Sequence, residues 1–225
     1  MIARRSVLGL LAGGAAAGLG GCGLLGYSYR FRMTVEAKTP QGLRTGSSVY
    51  EVSARRLVAL TAEEAERSVA VRGEALVVDL PDGPIFVLLK APDGNPHGSL
   101  DRLSMAALDK DYRNDWVESA RRIAASWRPL RAELLHWDWP LMVRFADIAD
   151  PASVERVAPE TAGIFSIMLE TTRDPVTTGI EKRLPWFYKY KGKFFDGSST
   201  ISEDLVTEIL AAHLTSRSFS TEAFK

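Results

Sequence analysis

From Tyr27 to Ala37 apolar and polar side chains alternate: Tyr29, Phe31, Met33 and Val35 fall on one side, Arg30, Arg32, Thr34 and Glu36 on the other. A period of two belongs to a strand with one buried face, because successive side chains leave a pleated backbone in opposite directions. Thr45 to Ser53 repeats the alternation more weakly through Val49 and Val52. Pro40-Gln41-Gly42 supplies turn chemistry between the two, so together they predict a hairpin. Ala75 to Leu80 and Ile85 to Leu89 are apolar runs joined by Pro81-Asp82-Gly83-Pro84 and predict a second hairpin. Arg67 to Arg72 admits two readings. Thr61 with Glu64 resembles a capping box for a short helix, whereas Val69 and Val71 alternate like a strand leading into Ala75.

Helical spacing is clearest from Asn114 to about Trp127, where Val117, Ala120, Ile123, Ala124 and Trp127 recur on one face and Arg121 and Arg122 face out. Leu141 to Phe145 and Ile164 to Thr171 read as further strands. Thr200 with Glu203 caps a closing helix through Ile201, Leu205, Ile209 and Ala212. Ala91 to Ser99, with two prolines and His97, reads as an exposed loop. Hairpins followed by helices, without a regular strand-helix rhythm, predict an α+β fold: a mainly antiparallel sheet with one middle and one C-terminal amphipathic helix.

Ahead of Tyr27 the pattern changes. Met1 to Arg5 is short and basic, Ser6 to Leu19 is uncharged and rich in Leu, Ala and Gly, and Leu19-Gly20-Gly21-Cys22 follows. This layout is that of an export signal over residues 1–21. Its last four residues resemble the lipobox of bacterial lipoproteins, in which small residues precede a cysteine that receives a diacylglyceryl group and becomes the new N-terminus. Arg4-Arg5-Ser6-Val7-Leu8 resembles a twin-arginine signal, departing from it at Ala3 and Gly9. The likeness implies lipid attachment at Cys22 and accounts for a lone cysteine, since a free thiol is a liability in an oxidising compartment and a thioether is not. Two or three acyl chains, at about 0.8 kcal/mol per buried methylene, hold stably where one does not. The rival is an uncleaved spanning helix from Ser6 to Gly26, which reaches the roughly twenty apolar residues required. Its eight glycines weaken a helix, and Arg4 and Arg5 facing Arg30, Arg32 and Lys38 give it no clean orientation.

Composition adds bounds. The chain has 225 residues, 46% of them apolar, and Lys plus Arg balances Asp plus Glu at 28 each. No global field therefore draws it to nucleic acid or to an anionic surface. Without residues 1–21 the body is mildly acidic. Cys22 to Gly26 is a short tether, so residues 27–225 are expected to form one domain lying close to a membrane.

Candidate chemistry is sparse. His97, His136 and His213 show no metal-ligand spacing, and no Gly-rich phosphate loop or redox cysteine pair occurs, so neither metal nor cofactor is expected. In Leu135-His136-Trp137-Asp138-Trp139-Pro140, an extended backbone would put His136 and Asp138 on one face and the tryptophans on the other. A His-Asp pair orients a general base, which makes an envelope hydrolase an alternative, although no GxSxG elbow accompanies it. The plainer reading is a strand entrance whose tryptophans fill the core. Trp186, Tyr188 and Tyr190 alternate with Lys189 and Lys191, as in a half-buried edge strand guarded by lysines. The same interleaving, preceded by Arg183, suits an anionic envelope surface. Arg183, Lys189 and Lys191 are therefore candidate surface-binding residues.

Thr45-Gly46-Ser47-Ser48-Val49, Arg72-Gly73-Glu74-Ala75 with Val78-Asp79-Leu80, Asp150-Pro151-Ala152-Ser153-Val154 and Thr178 through Trp186 resemble segments of uncharacterised proteobacterial proteins. The likeness implies a shared fold and no activity. The expectation is a lipid-anchored, periplasm-facing protein of the bacterial cell envelope that binds or scaffolds. It is expected to touch membrane lipid through acylated Cys22 and not nucleic acid, while an envelope protein or glycan partner is left open. A single-pass protein with an uncleaved N-terminal helix is the other alternative.

Overall fold

The alternating segment forms β1 (Gly26–Thr39), and its partner is β2 (Gly42–Arg56), paired antiparallel from Gly26↔Arg55 to Thr39↔Gly42. The computed structural model describes residues 26–56, 67–90, 99–113, 115–199 and 210–222. Tyr29, Phe31, Met33, Val35 and Ala37 are buried on the inner face, and Phe31 stacks on the cross-strand Tyr50 at 5.3 Å. The connecting turn holds Gly42 at φ 109°, a value L side chains rarely adopt, and Thr39 Oγ1 donates to the Gly42 carbonyl at 2.8 Å.

Residues 67–72 settle as strand β3 (Arg67–Arg72), paired with β2. The Thr61–Glu64 capping box lies outside the described residues. The second hairpin is β4 (Leu76–Leu80) and β5 (Gly83–Val87). Helices α1 (Leu100–Leu108) and α2 (Trp116–Ala125) follow, then β6 (Arg131–Glu133), β7 (Met142–Phe145), β8 (Val154–Arg156), β9 (Ile164–Thr172) and the short α3 (Ser216–Phe219). The sheets run β3-β2-β1-β9-β6 and β4-β5-β7-β8, and every pairing is antiparallel. The fold is α+β with β dominant.

The smaller sheet is covered on both faces. Leu76, Val78, Ile85, Val87 and Met142 join the inner face of the larger sheet and the apolar sides of α1 and α2 in one core. Ala75, Phe86, Leu88, Leu141 and Val143 point the other way, into a second core closed by Leu184, Trp186, Phe187, Phe195, Leu214 and Phe219. Double coverage explains why Ile85 to Leu89 is uniformly apolar, whereas β1 alternates. Gly46 marks where the sheets meet: a Cβ there would stand 2.3 Å from the Val77 carbonyl oxygen.

Several expectations are corrected. Residues 187–190 form a 3-10 turn instead of an edge strand; Trp186 and Phe187 are buried side by side while Tyr188 is exposed, a burial order that a pleated strand cannot produce. Pro185 just before it also argues against a strand. His136 to Asp138 is likewise a 3-10 turn, so the tryptophans diverge: Trp139 is buried and Trp137 is 68% exposed. Helix α2 ends at Ala125, leaving Trp127 outside it and exposed, and Arg122 reaches Asp109 instead of facing solvent. Two middle helices stand where one was expected; α1 was missed although Leu100, Leu103 and Leu108 share a buried face. Most of the closing helix, residues 200–209, lies outside the described residues, and Leu210–Ala212 is a 3-10 turn.

Candidate binding cleft

Pairing between β1 and β9 starts at Arg30↔Thr172, while pairing with β2 runs on to Gly26. Along residues 26–29 the β9-side edge of β1 therefore has no strand partner among the described residues. The segment after α2 passes this opening and is tied to the end of β9, where Leu130 N donates to Thr171 Oγ1 at 2.8 Å and Thr171 N donates to the Leu130 carbonyl at 2.9 Å. Between them lies a cleft of about 830 Å³, whose lining includes Ser28, Arg30, Arg32, Trp127, Arg128 and Arg173. That volume is within the range of small-molecule and headgroup sites.

Its carboxylates are all engaged. Glu51 accepts from Arg30 Nε at 2.7 Å and from Arg72 at 3.0 Å. The hydrogen bond from Arg30 holds the Glu51 carboxyl below the usual range against the opposing effect of its partial burial. Asp174 accepts from Arg32 and from the Thr172 hydroxyl, and the Thr172 bond first and Arg32 second lower its pKa. Glu170 pairs with Arg131 at 2.8 Å. Arg128 and Arg173, both exposed, form no ion pair among the described residues. The Arg128 guanidinium lies 4.2 Å above the Trp127 ring, and Trp127 is 81% exposed. Tyr29 turns its hydroxyl into the core, 2.8 Å from Ser104 Oγ, and burial pushes its pKa up. Among the described residues the lining thus carries surplus positive charge, an open indole and no carboxyl free to shuttle a proton.

The residues singled out from sequence do not gather at this cleft. Arg183 pairs with Asp79 at the end of one 3-10 turn, whereas Lys189 and Lys191 lie on and just after another. His136 Nε2 meets Glu160 Oε1 at 2.6 Å and its ring lies 4.6 Å from that of Trp139; both members of the His-Glu pair are more than half exposed. A second cleft of about 320 Å³ includes Glu160 but neither His136 nor Asp138. Cys22, Arg4, Arg5 and His97 lie outside the described residues. Among the described residues no group of three His, Cys, Asp or Glu is placed to hold a metal ion, and no helix is long and apolar enough to cross a membrane.

Sequence reasoning also missed Glu74, which is 2% exposed. Its carboxylate accepts from Ile180 N at 2.8 Å and Ser220 Oγ at 3.0 Å, and its carbonyl accepts from Ser48 Oγ at 3.0 Å. Beside it Ala75 N donates to the Phe219 carbonyl at 2.7 Å and Thr221 N to that of Gly73 at 3.1 Å, so the end of the described chain is sealed onto the link between the sheets. No family model, curated protein or solved structure matches the chain.

Proposed function

We propose that the protein is a lipid-anchored component of the bacterial cell envelope, held by acylated Cys22, whose folded part is a periplasm-facing binding module. One observation carries this reading: only Gly23-Leu24-Leu25 separate the lipobox cysteine from the first residue of β1. Four Cα steps span at most about 14 Å. An acyl chain on Cys22 would thus hold the Gly26 end of the central strand against the lipid, and that end borders the arginine-rich cleft. An ion-paired, cationic lining suits recognition of an anion better than proton transfer.

Metabolic labelling with a fatty-acid analogue, in wild type and Cys22→Ser, combined with fractionation, tests the anchor. Label and membrane association that vanish together in Cys22→Ser support it; label that survives the substitution overturns it, and an unlabelled, membrane-bound wild type points to the uncleaved N-terminal helix. The hydrolase alternative, a site around His136 and Asp138, would use a His136 whose Nε2 lies 2.6 Å from Glu160 Oε1. It requires that His136→Ala abolish a measured hydrolytic activity while leaving the melting temperature in place.

A further inference from the structure

We propose that the cleft between β1 and the Trp127–Pro129 segment is a docking site for the phosphate headgroups of an anionic phospholipid surface, with Trp127 seated at headgroup level. This rests on the membrane-proximal anchor proposed above and names what the proximal end of the domain does there. Three exposed guanidinium groups at that end form no ion pair among the described residues: Arg128 and Arg173 in the cleft, and Arg55, which stands opposite Gly26 in β2. The neighbouring carboxylates among the described residues are already matched. Glu51, Asp174 and Glu170 are paired as described, Asp115 with Arg56 at 3.4 Å, and Glu118 with Arg121 at 2.6 Å. The positive surplus is therefore local, although the whole chain is formally neutral.

The aromatic component fits the same occupant. An indole exposed to this degree beside a guanidinium costs solvation in water, whereas tryptophan with an arginine is favoured at the headgroup boundary, where one end is apolar and the other meets phosphate. Each arginine near an anionic leaflet adds about 1 kcal/mol of attraction and loses it as salt rises. A cleft of about 830 Å³ exceeds what a lone phosphate fills and admits a glycerophosphate headgroup with part of its polar substituent.

The test uses the full-length chain on phosphatidylcholine vesicles, with and without an equal share of phosphatidylglycerol. Subtracting the emission of Trp127→Phe isolates Trp127, and its quenching by acrylamide is read. Phosphatidylglycerol is expected to cut that quenching to about half, as for an indole at the interface. Arg128→Gln combined with Arg173→Gln should weaken the lipid dependence by about 30-fold, whereas Lys189→Gln combined with Lys191→Gln leaves it unchanged. Equal quenching on the two vesicle types overturns the proposal. Protection abolished by millimolar inorganic phosphate also overturns it, pointing to a free phosphate ligand in place of a membrane. Cys22→Ser separates the two readings. Phosphatidylglycerol-dependent protection that persists in Cys22→Ser at vesicle excess supports the cleft independently of acylation, whereas an acylated wild type whose Trp127 ignores lipid charge overturns the cleft proposal and leaves the anchor standing.

Discussion

Replacing Glu74 with glutamine should remove a pH dependence of stability opposite in sign to that of the other perturbed carboxyl groups. Burial is the main cause that raises the Glu74 pKa above its ordinary 4.5, and Glu181 adds repulsion; hydrogen bonds from Ile180 N–H, Ser220 O–H and Gly179 N–H oppose the rise without cancelling it. An acid whose folded pKa lies above its unfolded value binds more protons in the native state. Its stability contribution therefore grows as pH falls through the folded pKa toward 4.5, and each unit of difference is worth about 1.4 kcal/mol. Glutamine keeps an acceptor for Ile180 N–H and can donate to the Ser220 hydroxyl, so Glu74→Gln is expected to stay within about 1 kcal/mol of wild type at neutral pH. Alanine leaves the Ile180 N–H without that acceptor, at about 1–3 kcal/mol, removes the Glu74 acceptor from the Ser220 hydroxyl and opens a cavity, for a loss of about 3–5 kcal/mol in all. Urea unfolding followed by circular dichroism at about pH 5 and about pH 7 reads the effect. Wild type should gain stability on acidification across that window relative to Glu74→Gln. Parallel pH slopes for the two proteins would refute the reasoning.

Three further outcomes are expected. Gly46→Ala would ordinarily favour a strand, yet its Cβ would press on the Val77 carbonyl, so urea unfolding should show a loss of about 1–3 kcal/mol from sheet separation. Arg122→Met strips the ion-pair partner from Asp109, whose side chain is 5% exposed; burial alone would raise that carboxyl, but the hydrogen bonds from Arg122 and from the Asp111 N–H outweigh it and lower its pKa. A loss of about 3–5 kcal/mol in thermal unfolding is expected at neutral pH, shrinking in acid as Asp109 is protonated. Trp139→Ala should cost about 3–5 kcal/mol by calorimetry, since that indole is buried and donates to the Leu134 carbonyl at 3.1 Å, while Trp137→Ala stays within about 0.5 kcal/mol.

Local pattern sufficed wherever a segment's neighbours in space are also its neighbours in sequence. The β1–β2 and β4–β5 hairpins needed only a period of two or an apolar run with turn residues between, because a tight turn brings the partner strand back immediately. The expectation of a leader is linear too: a basic start, an apolar stretch and Leu19-Gly20-Gly21-Cys22 can be read without folding anything. The Trp186–Tyr190 segment shows where this fails. Alternating aromatics and lysines look like a strand, but the second core takes Trp186 and Phe187 together, with Trp186 packed edge-on against Phe145 of β7 instead of the segment pairing with a strand edge.

The cleft belongs to tertiary structure alone. Arg30, Arg128 and Arg173 come from β1, from the segment after α2 and from the end of β9, and each looks in sequence like an ordinary solvated charge. Which arginines remain without a carboxylate depends on pairings across long loops, such as Arg32 with Asp174 and Arg72 with Glu222. Alternation in a single chain encodes which face is wet, whereas the balance of charge at a surface is set by where distant segments cross. Local alternation and turn residues suffice for the hairpins and the α+β class, and a linear motif suffices for the expectation of a tether at Cys22. Sheet stacking, the sealed C-terminal segment and the cationic opening beside Gly26 had to await the folded chain, because each arises from contacts that no local period contains.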